Sequence, residues 1–175
     1  MQLQLLTPAQ IKQYETMLFR LLSDADDEFL PPLSARSSTT QNALSGGEKS
    51  IDGVTAYFEQ MKQQQIFAAI EKGQLHGFVS FKENYTNDAI PPEHLPNIYL
   101  STLVVSPAAR GKGLTKRMYG ALFEQFADRA VLTRTWSTNA AHIRILDSFG
   151  FETLCTIPND RGNGIDTIYF IKTVL

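Results

Sequence analysis

Glycines and basic residues alternate in one short segment of this 175-residue sequence, RGKGLTK at residues 110–116. The segment stands between an apolar β-branched run and an amphipathic pattern that predicts a helix from about Leu114. The first amides of a helix have no partners, and glycines leave such amides open to a ligand. The helix dipole and the basic side chains then favour an anion. The segment therefore predicts a phosphate site, most naturally for a diphosphate, although an isolated G-x-G is more often a plain loop.

A second group of candidate residues comes from the helix predicted over residues 139–149. Asn139, His142 and Leu146 are three and four residues apart, so they share one helical face. Asn139 is a favoured N-cap, and His142 can move a proton near neutral pH. A partly buried, hydrogen-bonded histidine is the more frequent role, so His142 is a weak catalytic candidate.

The elements that must position these residues follow from the apolar periodicity, which changes between two and 3.6 residues along the chain. It predicts strands at residues 3–6, 66–72, 75–83, 98–106, 130–136, 151–157 and 164–175, with helices from Pro8 and at residues 52–64, 114–129 and 139–149. This order predicts an α/β fold with one central sheet. The two strand–helix–strand units of the second half are expected to be parallel crossovers.

Turns and caps of the first half give further expectations. Asp52 is predicted to cap the second helix, and Gly73-Gln74 to form a hairpin turn. The polar segment at residues 23–50 has no periodicity. A loop of that length inside a compact domain is usually functional or disordered.

Composition restricts the class of partner. The chain has 16 basic and 18 acidic residues and a net charge of −2, so no general basic field favours nucleic acid or an anionic membrane. No apolar run reaches the ~20 residues of a membrane span, and the N-terminus lacks a signal-peptide pattern, so we expect a cytoplasmic protein. One cysteine and three histidines give no metal-ligand set, so we expect no metal.

The stretch VVSPAARGKGLT resembles the acetyl-CoA-binding motif of the GNAT N-acetyltransferase superfamily, Q/R-x-x-G-x-G/A. Arg110 and Gly113 occupy its first two fixed positions, and Thr115 stands where Gly or Ala is usual. A second family motif follows in register, with Asn139 before the helix and Gly150-Phe151 after it. The resemblance covers residues 98–151, about a third of the chain.

The resemblance implies a GNAT-like mixed central β-sheet flanked by helices on both faces, within a single domain over residues 1–175. It implies an acetyl-CoA-dependent N-acetyltransferase that transfers the acetyl group directly to a primary amine of a small molecule or peptide. The N-terminal part would then form the acceptor side. Homodimers are common in the family, so a homodimer is an open alternative to a monomer.

The resemblance also implies roles for individual residues. The strand before the motif would run along the pantetheine, the amides of the glycine-rich turn would bind the pyrophosphate, and Asn139 would reach the pantetheine in addition to capping its helix. The implied cofactor-binding residues are Leu103, Val104, Val105, Arg110, Gly111, Lys112, Gly113, Leu114, Thr115, Lys116 and Asn139.

Catalytic residues are harder to transfer from the family. Its usual tyrosine, seven residues after the asparagine, corresponds to Leu146, and its usual glutamate positions correspond to Tyr99 and Arg134. His142 is then the remaining candidate on this helix. A catalytically silent domain that binds or senses acyl-CoA is the alternative interpretation.

Acceptor selectivity is predicted to lie in the first half and the loops. The segment DADDEF at residues 24–29 could attract a cationic amine, although such a run is more often a solvated loop. Phe29, Tyr57, Phe58 and Tyr85 are candidates for lining an acceptor pocket, although most aromatic residues belong to the core. Trp136 is expected near the acetyl group from the order of the elements, with core packing as its default role.

Overall fold

The computed structural model describes residues 1–174 and contains a seven-stranded mixed sheet with helices on both of its faces. The predicted α/β fold class is therefore confirmed. The strands are β1 (Gln2–Leu5), β2 (Gln65–Glu71), β3 (Gln74–Glu83), β4 (Asn97–Val105), β5 (Ala130–Trp136), β6 (Glu152–Ile157) and β7 (Thr167–Lys172). The helices are α1 (Pro8–Asp24), α2 (Thr55–Met61), α3 (Leu114–Gln125) and α4 (Ala140–Ser148). None of these helices is long and apolar enough to cross a membrane.

The strands lie in the order β1-β2-β3-β4-β5-β7-β6, and within residues 1–174 only the β4–β5 pair is parallel. The predicted crossover from β4 through α3 to β5 is therefore confirmed. The predicted crossover through α4 does not give a neighbouring pair, because β7 inserts between β5 and β6 and pairs antiparallel with both. The sheet thus has one parallel junction near its centre.

The two faces of the sheet carry different helices. The core on one face contains apolar residues of α3 and α4 together with Leu100 and Val131. The core on the other face contains α1 and α2 together with Phe78 and Val104. Successive side chains of a strand point to opposite faces, and the register shift that skips Ser101 changes this alternation in β4, so β4 contributes Leu100 to one layer and Val104 to the other.

Three local predictions were wrong in detail. Asp52 does not cap α2, because a turn with Gly53 at φ 63° intervenes and Val54 takes the N-cap position without a side-chain bond. The hairpin turn is Lys72-Gly73, since both residues adopt the positive φ that a two-residue turn of this type requires. Helix α3 ends four residues before the predicted 129, and Leu175, the end of the last predicted strand, lies outside the described residues.

The polar segment at residues 23–50 is ordered against the body of the domain. It contains short 3-10 turns at Asp26–Glu28 and Leu33–Ala35. Leu33 and Leu44 are fully buried, and the amide of Leu44 donates to Asp160 Oδ1 across the domain. The segment therefore forms a packed wall, which explains how a chain without periodicity contributes to a site.

Candidate functional site

A cleft opens where the single parallel junction of the sheet comes apart. Strands β4 and β5 pair from Asn97↔Ala130 to Leu100↔Thr133, and no pair joins them beyond that point. Residues 101–105 of β4 and 134–136 of β5 line the resulting cavity of about 500 Å³. The β5-facing edge of β4 therefore presents backbone groups without a strand partner to the cavity, which suits an extended ligand.

The glycine-rich turn forms one end of this cleft. Gly111 and Gly113 have φ of 71° and 69°, a region that L residues rarely adopt. Gly113 is the N-cap of α3 and no side chain caps the helix, so the first amides of α3 are free. A Cβ on either glycine would meet no atom within 4 Å. The glycines are therefore required for backbone conformation, and the space above them stays open for a ligand.

The structure brings together nearly all of the predicted cofactor-binding residues. Ten of the eleven line the cleft: Leu103, Val104, Val105, Arg110, Gly111, Gly113, Leu114, Thr115, Lys116 and Asn139. The exception is Lys112, whose Nζ turns back to donate to Ala108 O at 2.9 Å. Lys112 could contribute its backbone amide, but its side chain lies outside the cleft wall.

Two of the lining residues also have structural partners. Arg110 Nε donates to Val105 O at 3.0 Å, and its Nη2 forms an ion pair with Glu28 at 2.8 Å. Asn139 caps α4, because its Oδ1 accepts from the amide of His142, and its Nδ2 donates to Thr135 Oγ1 at 3.0 Å. The capping role of Asn139 is therefore present, and its contact with pantetheine stays a prediction.

His142 forms a pair with a tyrosine that sequence reasoning missed. Tyr119 Oη lies 2.8 Å from His142 Nε2, and both side chains line the cleft. Burial lowers the pKa of His142 to about 4 and raises the pKa of Tyr119. Both groups are therefore neutral near pH 7. The neutral pair has two exchangeable protons, one on the Tyr119 hydroxyl and one on the His142 ring. One of them forms the hydrogen bond between the two side chains, so in either tautomer the other remains free to be donated.

The other catalytic positions considered from the sequence lie elsewhere. Leu146, at the usual tyrosine position, is fully buried in the α3 and α4 core and does not line the cleft. Tyr99 is buried, and burial raises its pKa. Arg134 does line the cleft, but it cannot act as a base.

Three arginines form the opposite end of the cleft from the glycine-rich turn. Arg36, Arg134 and Arg161 all line it, together with Phe29 and Trp136. The guanidinium of Arg161 lies 5.8 Å from the Trp136 ring centroid, and that of Arg36 lies 5.6 Å from the Phe29 ring centroid. The sequence analysis considered only Arg134, because Arg36 and Arg161 belong to loops without a recognisable pattern.

The acidic segment at residues 24–29 does not supply this end with free carboxylates. Asp26 accepts from the amide and hydroxyl of Ser34, and Asp27 pairs with Lys49. Glu28 lines the cleft but is paired with Arg110 at the opposite end. The expectation that the run attracts a cationic amine is therefore not supported by its contacts.

Comparison with known proteins agrees with this architecture. The sequence model of the "Acetyltransferase (GNAT) family" matches residues 32–151, which is more than half of the chain and extends well upstream of the predicted motifs. The chain belongs to the GNAT acetyltransferase family. The GNAT match includes residues 32–50, so most of the wall formed by residues 23–50 is part of the family domain. Among curated proteins the sequence has no match.

Solved structures share the GNAT fold over nearly the whole chain. A ribosomal-protein-alanine N-acetyltransferase from Brucella melitensis is 20% identical with a TM-score of 0.64, and the alignment covers 99% of each chain. The Salmonella typhimurium protein yncA, solved with its cofactor acetyl-CoA, is 17% identical with a TM-score of 0.61, covering 100% of this chain and 94% of that one. An aminoglycoside 6'-N-acetyltransferase complexed with coenzyme A is 15% identical with a TM-score of 0.68, covering 100% and 98%. At these identities the likeness shows the fold alone.

Residues of this GNAT chain fit the cofactor that the family uses. The uncapped α3 terminus offers several amides to a diphosphate, and the unpaired β4 edge offers backbone groups to an amide-containing arm. Across residues 1–174, no group of three or more His, Cys, Asp or Glu side chains is placed to hold a metal ion.

Proposed function

We propose that this protein is an acetyl-CoA-dependent N-acetyltransferase that transfers the acetyl group directly to a primary amine of a small molecule or peptide. The observation that carries the proposal is the cleft through the sheet. Arg134 and Leu132 are two residues apart on β5, so both lie on the face of the sheet opposite Val131 and the α3 and α4 core, whereas Thr135 accepts a hydrogen bond from Asn139 on the α4 side. Two reactants entering from opposite faces would therefore meet between β4 and β5.

The cofactor end would use backbone groups more than side chains. The amides of residues 111–116 would bind the diphosphate, with Lys116 adding positive charge and Arg110, which is paired with Glu28, lying beside them. The free edge of Leu103, Val104 and Val105 would bind the pantetheine arm like an added strand. When bound, acetyl-CoA supplies an acetyl group that its thioester activates.

The residues between the two ends would position the reaction and handle protons. An unpaired β4 amide beyond Leu100 would donate to the acetyl oxygen. The Tyr119–His142 pair would offer its spare proton to the thiolate that leaves. No unpaired carboxylate among the described residues lines the cleft, so positioning of a neutral amine would contribute most of the rate.

Thiol release from acetyl-CoA tests the proposal directly. The purified protein is assayed against amino acids, polyamines, aminoglycosides and short peptides, with acetyl-CoA binding followed by calorimetry. Release with one class of amine supports the enzyme. Tight acetyl-CoA binding without release from any acceptor would favour the silent acyl-CoA-binding domain, for which the buried Leu146 at the usual tyrosine position is the supporting observation. A cytoplasmic location and a homodimer both stay predictions.

A further inference from the structure

Three arginines converge on the acceptor end of the cleft. Arg36 and Arg161 are only 8% and 6% exposed, and Arg134 is partly buried beside them. Their charges act on one another, because Arg36 and Arg134 both lower the pKa of Arg161. Arginine is rarely buried unless it is paired. A cluster of three at one end of a cavity therefore requires an explanation.

Part of the explanation is structural. Arg36 Nε and Nη2 both donate to Pro31 O, and Arg161 Nη1 donates to Leu30 O. Arg134 Nη2 donates to Gln41 O at 2.8 Å, and its Nη1 donates to Tyr169 Oη at 3.1 Å. Each arginine thus holds the wall formed by residues 23–50.

These bonds leave one nitrogen of each guanidinium without a protein partner. Within the described chain, Arg36 Nη1, Arg134 Nε and Arg161 Nη2 make no hydrogen bond to another residue. All three nitrogens are accessible to solvent. Each arginine therefore keeps a donor for something that enters the cavity.

No carboxylate is in ion-pair contact with the cluster among the described residues, and only Asp26 and Asp160 act on it from a greater distance. No ion pair of the described residues involves these arginines. Asp160 has no direct hydrogen bond to Arg161; Thr167 Oγ1 accepts from Arg161 Nε and donates to Asp160 Oδ2, and the Asp160 charge raises the pKa of Arg161 less than burial lowers it. Burial is the main cause that lowers the pKa of Arg161 to about 9, so it still carries its charge at pH 7. Carbonyl groups satisfy donors without neutralising a charge, and buried charges without a counterion are destabilising.

The cluster is separate from the diphosphate end. Arg134 shares the face of β5 with Leu132, opposite the α3 and α4 core that contains Val131, and it bonds Tyr169 Oη on that face. Arg36 and Arg161 come from loops that bond Pro31 and Leu30. The glycine-rich turn begins α3, which packs on the other side. The phosphates held at that turn would therefore leave the arginine charges without a counterion.

We propose that the acceptor is an amine that also carries an oxyanion, either a carboxylate or a phosphate, and that Arg36, Arg134 and Arg161 bind that group. The inference rests on the proposed function and narrows its acceptor class. The guanidinium fork matches the geometry of carboxylate and phosphate oxygens. The aromatic rings of Phe29 and Trp136 form the apolar wall beside them. Polycationic amines such as polyamines and aminoglycosides are then poor acceptors.

Matched acceptor pairs test the inference. Each of the twenty L-amino acids is assayed for thiol release, and the best is compared with its carboxamide and with the amine that lacks the carboxylate. Ethanolamine is compared with O-phosphoethanolamine in the same way. We expect the anionic member of one pair to be preferred by about 10- to 100-fold in kcat/KM, as loss of a charge-assisted hydrogen bond implies. The pair that shows the preference identifies carboxylate or phosphate.

Variants of Arg134 link that preference to the cluster. Arg134→Met should reduce the preference for the anionic acceptor to less than threefold, while the calorimetric affinity for acetyl-CoA stays within twofold. Arg134→Lys keeps the positive charge but loses the guanidinium bonds to Tyr169 and Gln41, so it should retain part of the preference. Retention of the preference would show that the charge binds the acceptor, rather than that Arg134 only supports the wall. Arg20→Met is the matched control, since Arg20 is exposed on α1 and pairs only with Asp24. It should behave like the unchanged protein.

The outcomes separate this inference from the proposed function. Equal use of anionic, neutral and cationic amines would overturn the inference and leave the acetyltransferase standing. Absence of thiol release with every amine would overturn the function, and the inference is then decided by calorimetry of the same acceptors with coenzyme A-loaded protein. Binding of an anionic acceptor that Arg134→Met abolishes supports it. No binding of any anionic acceptor overturns it.

Discussion

His142 should make the domain sensitive to mild acid. Burial lowers its pKa to about 4 from the ordinary 6.5, because the charged imidazolium would lose solvent beside Tyr119. Between those two values the unfolded chain binds a proton that the folded chain does not. Stability therefore falls as pH falls through this window, and it is unaffected by His142 well above pH 6.5.

The size of the effect follows from the two pKa values. Moving from pH 7 to pH 5 takes the unfolded histidine from mostly neutral to almost fully charged, while the folded one stays neutral. Linkage then gives a loss of about 2 kcal/mol in the free energy of unfolding. His142 retains some contact with the cleft, so solvent reduces this value and about 1 kcal/mol is the lower expectation.

Urea unfolding at pH 7 and pH 5 measures the loss, with His142→Gln as the reference. Glutamine does not titrate and keeps a polar group for the Tyr119 hydroxyl, so the reference should lose about 1–2 kcal/mol less than the unchanged protein. The chain has three histidines, so NMR can follow each imidazole separately. One should titrate near 4. A His142 imidazole that titrates near its ordinary 6.5, or equal acid sensitivity of both proteins, would refute the reasoning.

Three further substitutions probe the site. Gly113→Glu should weaken acetyl-CoA binding by about 100-fold or more, because its carboxylate would be repelled by roughly 3 kcal/mol from a phosphate ~5 Å away. The left-handed backbone costs about 1 kcal/mol in the free and the bound protein alike, so Gly113→Ala should lower stability to urea by that amount with little change of affinity in calorimetry. Tyr119→Phe should lower kcat by about 100-fold with acetyl-CoA affinity unchanged. An unaltered kcat would show that the Tyr119–His142 pair contributes to packing and not to proton transfer. Leu146→Tyr should destabilise the fold by about 1–3 kcal/mol in urea without raising turnover, because this position is sealed from the cleft. Faster turnover would contradict that placement.

The cofactor half was accessible to sequence reasoning because its features are local. The free amides at the start of α3 depend on Gly111 and Gly113, which are adjacent to the helix that they precede. Asn139 likewise caps the helix that it begins. Lys112 is the exception, since its side chain bonds back to Ala108 and a pattern of residue types does not show where a flexible side chain turns.

The arginine end of the cleft, where we propose that the acceptor binds, was not accessible to sequence reasoning, because its contacts join distant parts of the chain. Arg161 and Leu30 are 131 positions apart, and Arg134 and Gln41 are 93 apart. Tyr119 has the spacing of a core residue, and only the fold brings its hydroxyl to His142, 23 positions later. Non-periodic loops gain their structure from such tertiary contacts, so neither propensity nor spacing could have predicted this wall.

The same arginines bear on how an acetyltransferase could work without a carboxylate base. A free alkylamine has a pKa of about 10.4 and is almost entirely protonated near neutral pH. Positive charges nearby disfavour the ammonium form and lower that pKa. A bound oxyanion would neutralise part of the cluster, but three guanidinium groups exceed the charge of a single carboxylate, so a net positive field would remain around the amine. Acceptor recognition at Arg36, Arg134 and Arg161 would thereby also favour the neutral nucleophile, which explains why the cleft can lack an unpaired Asp or Glu.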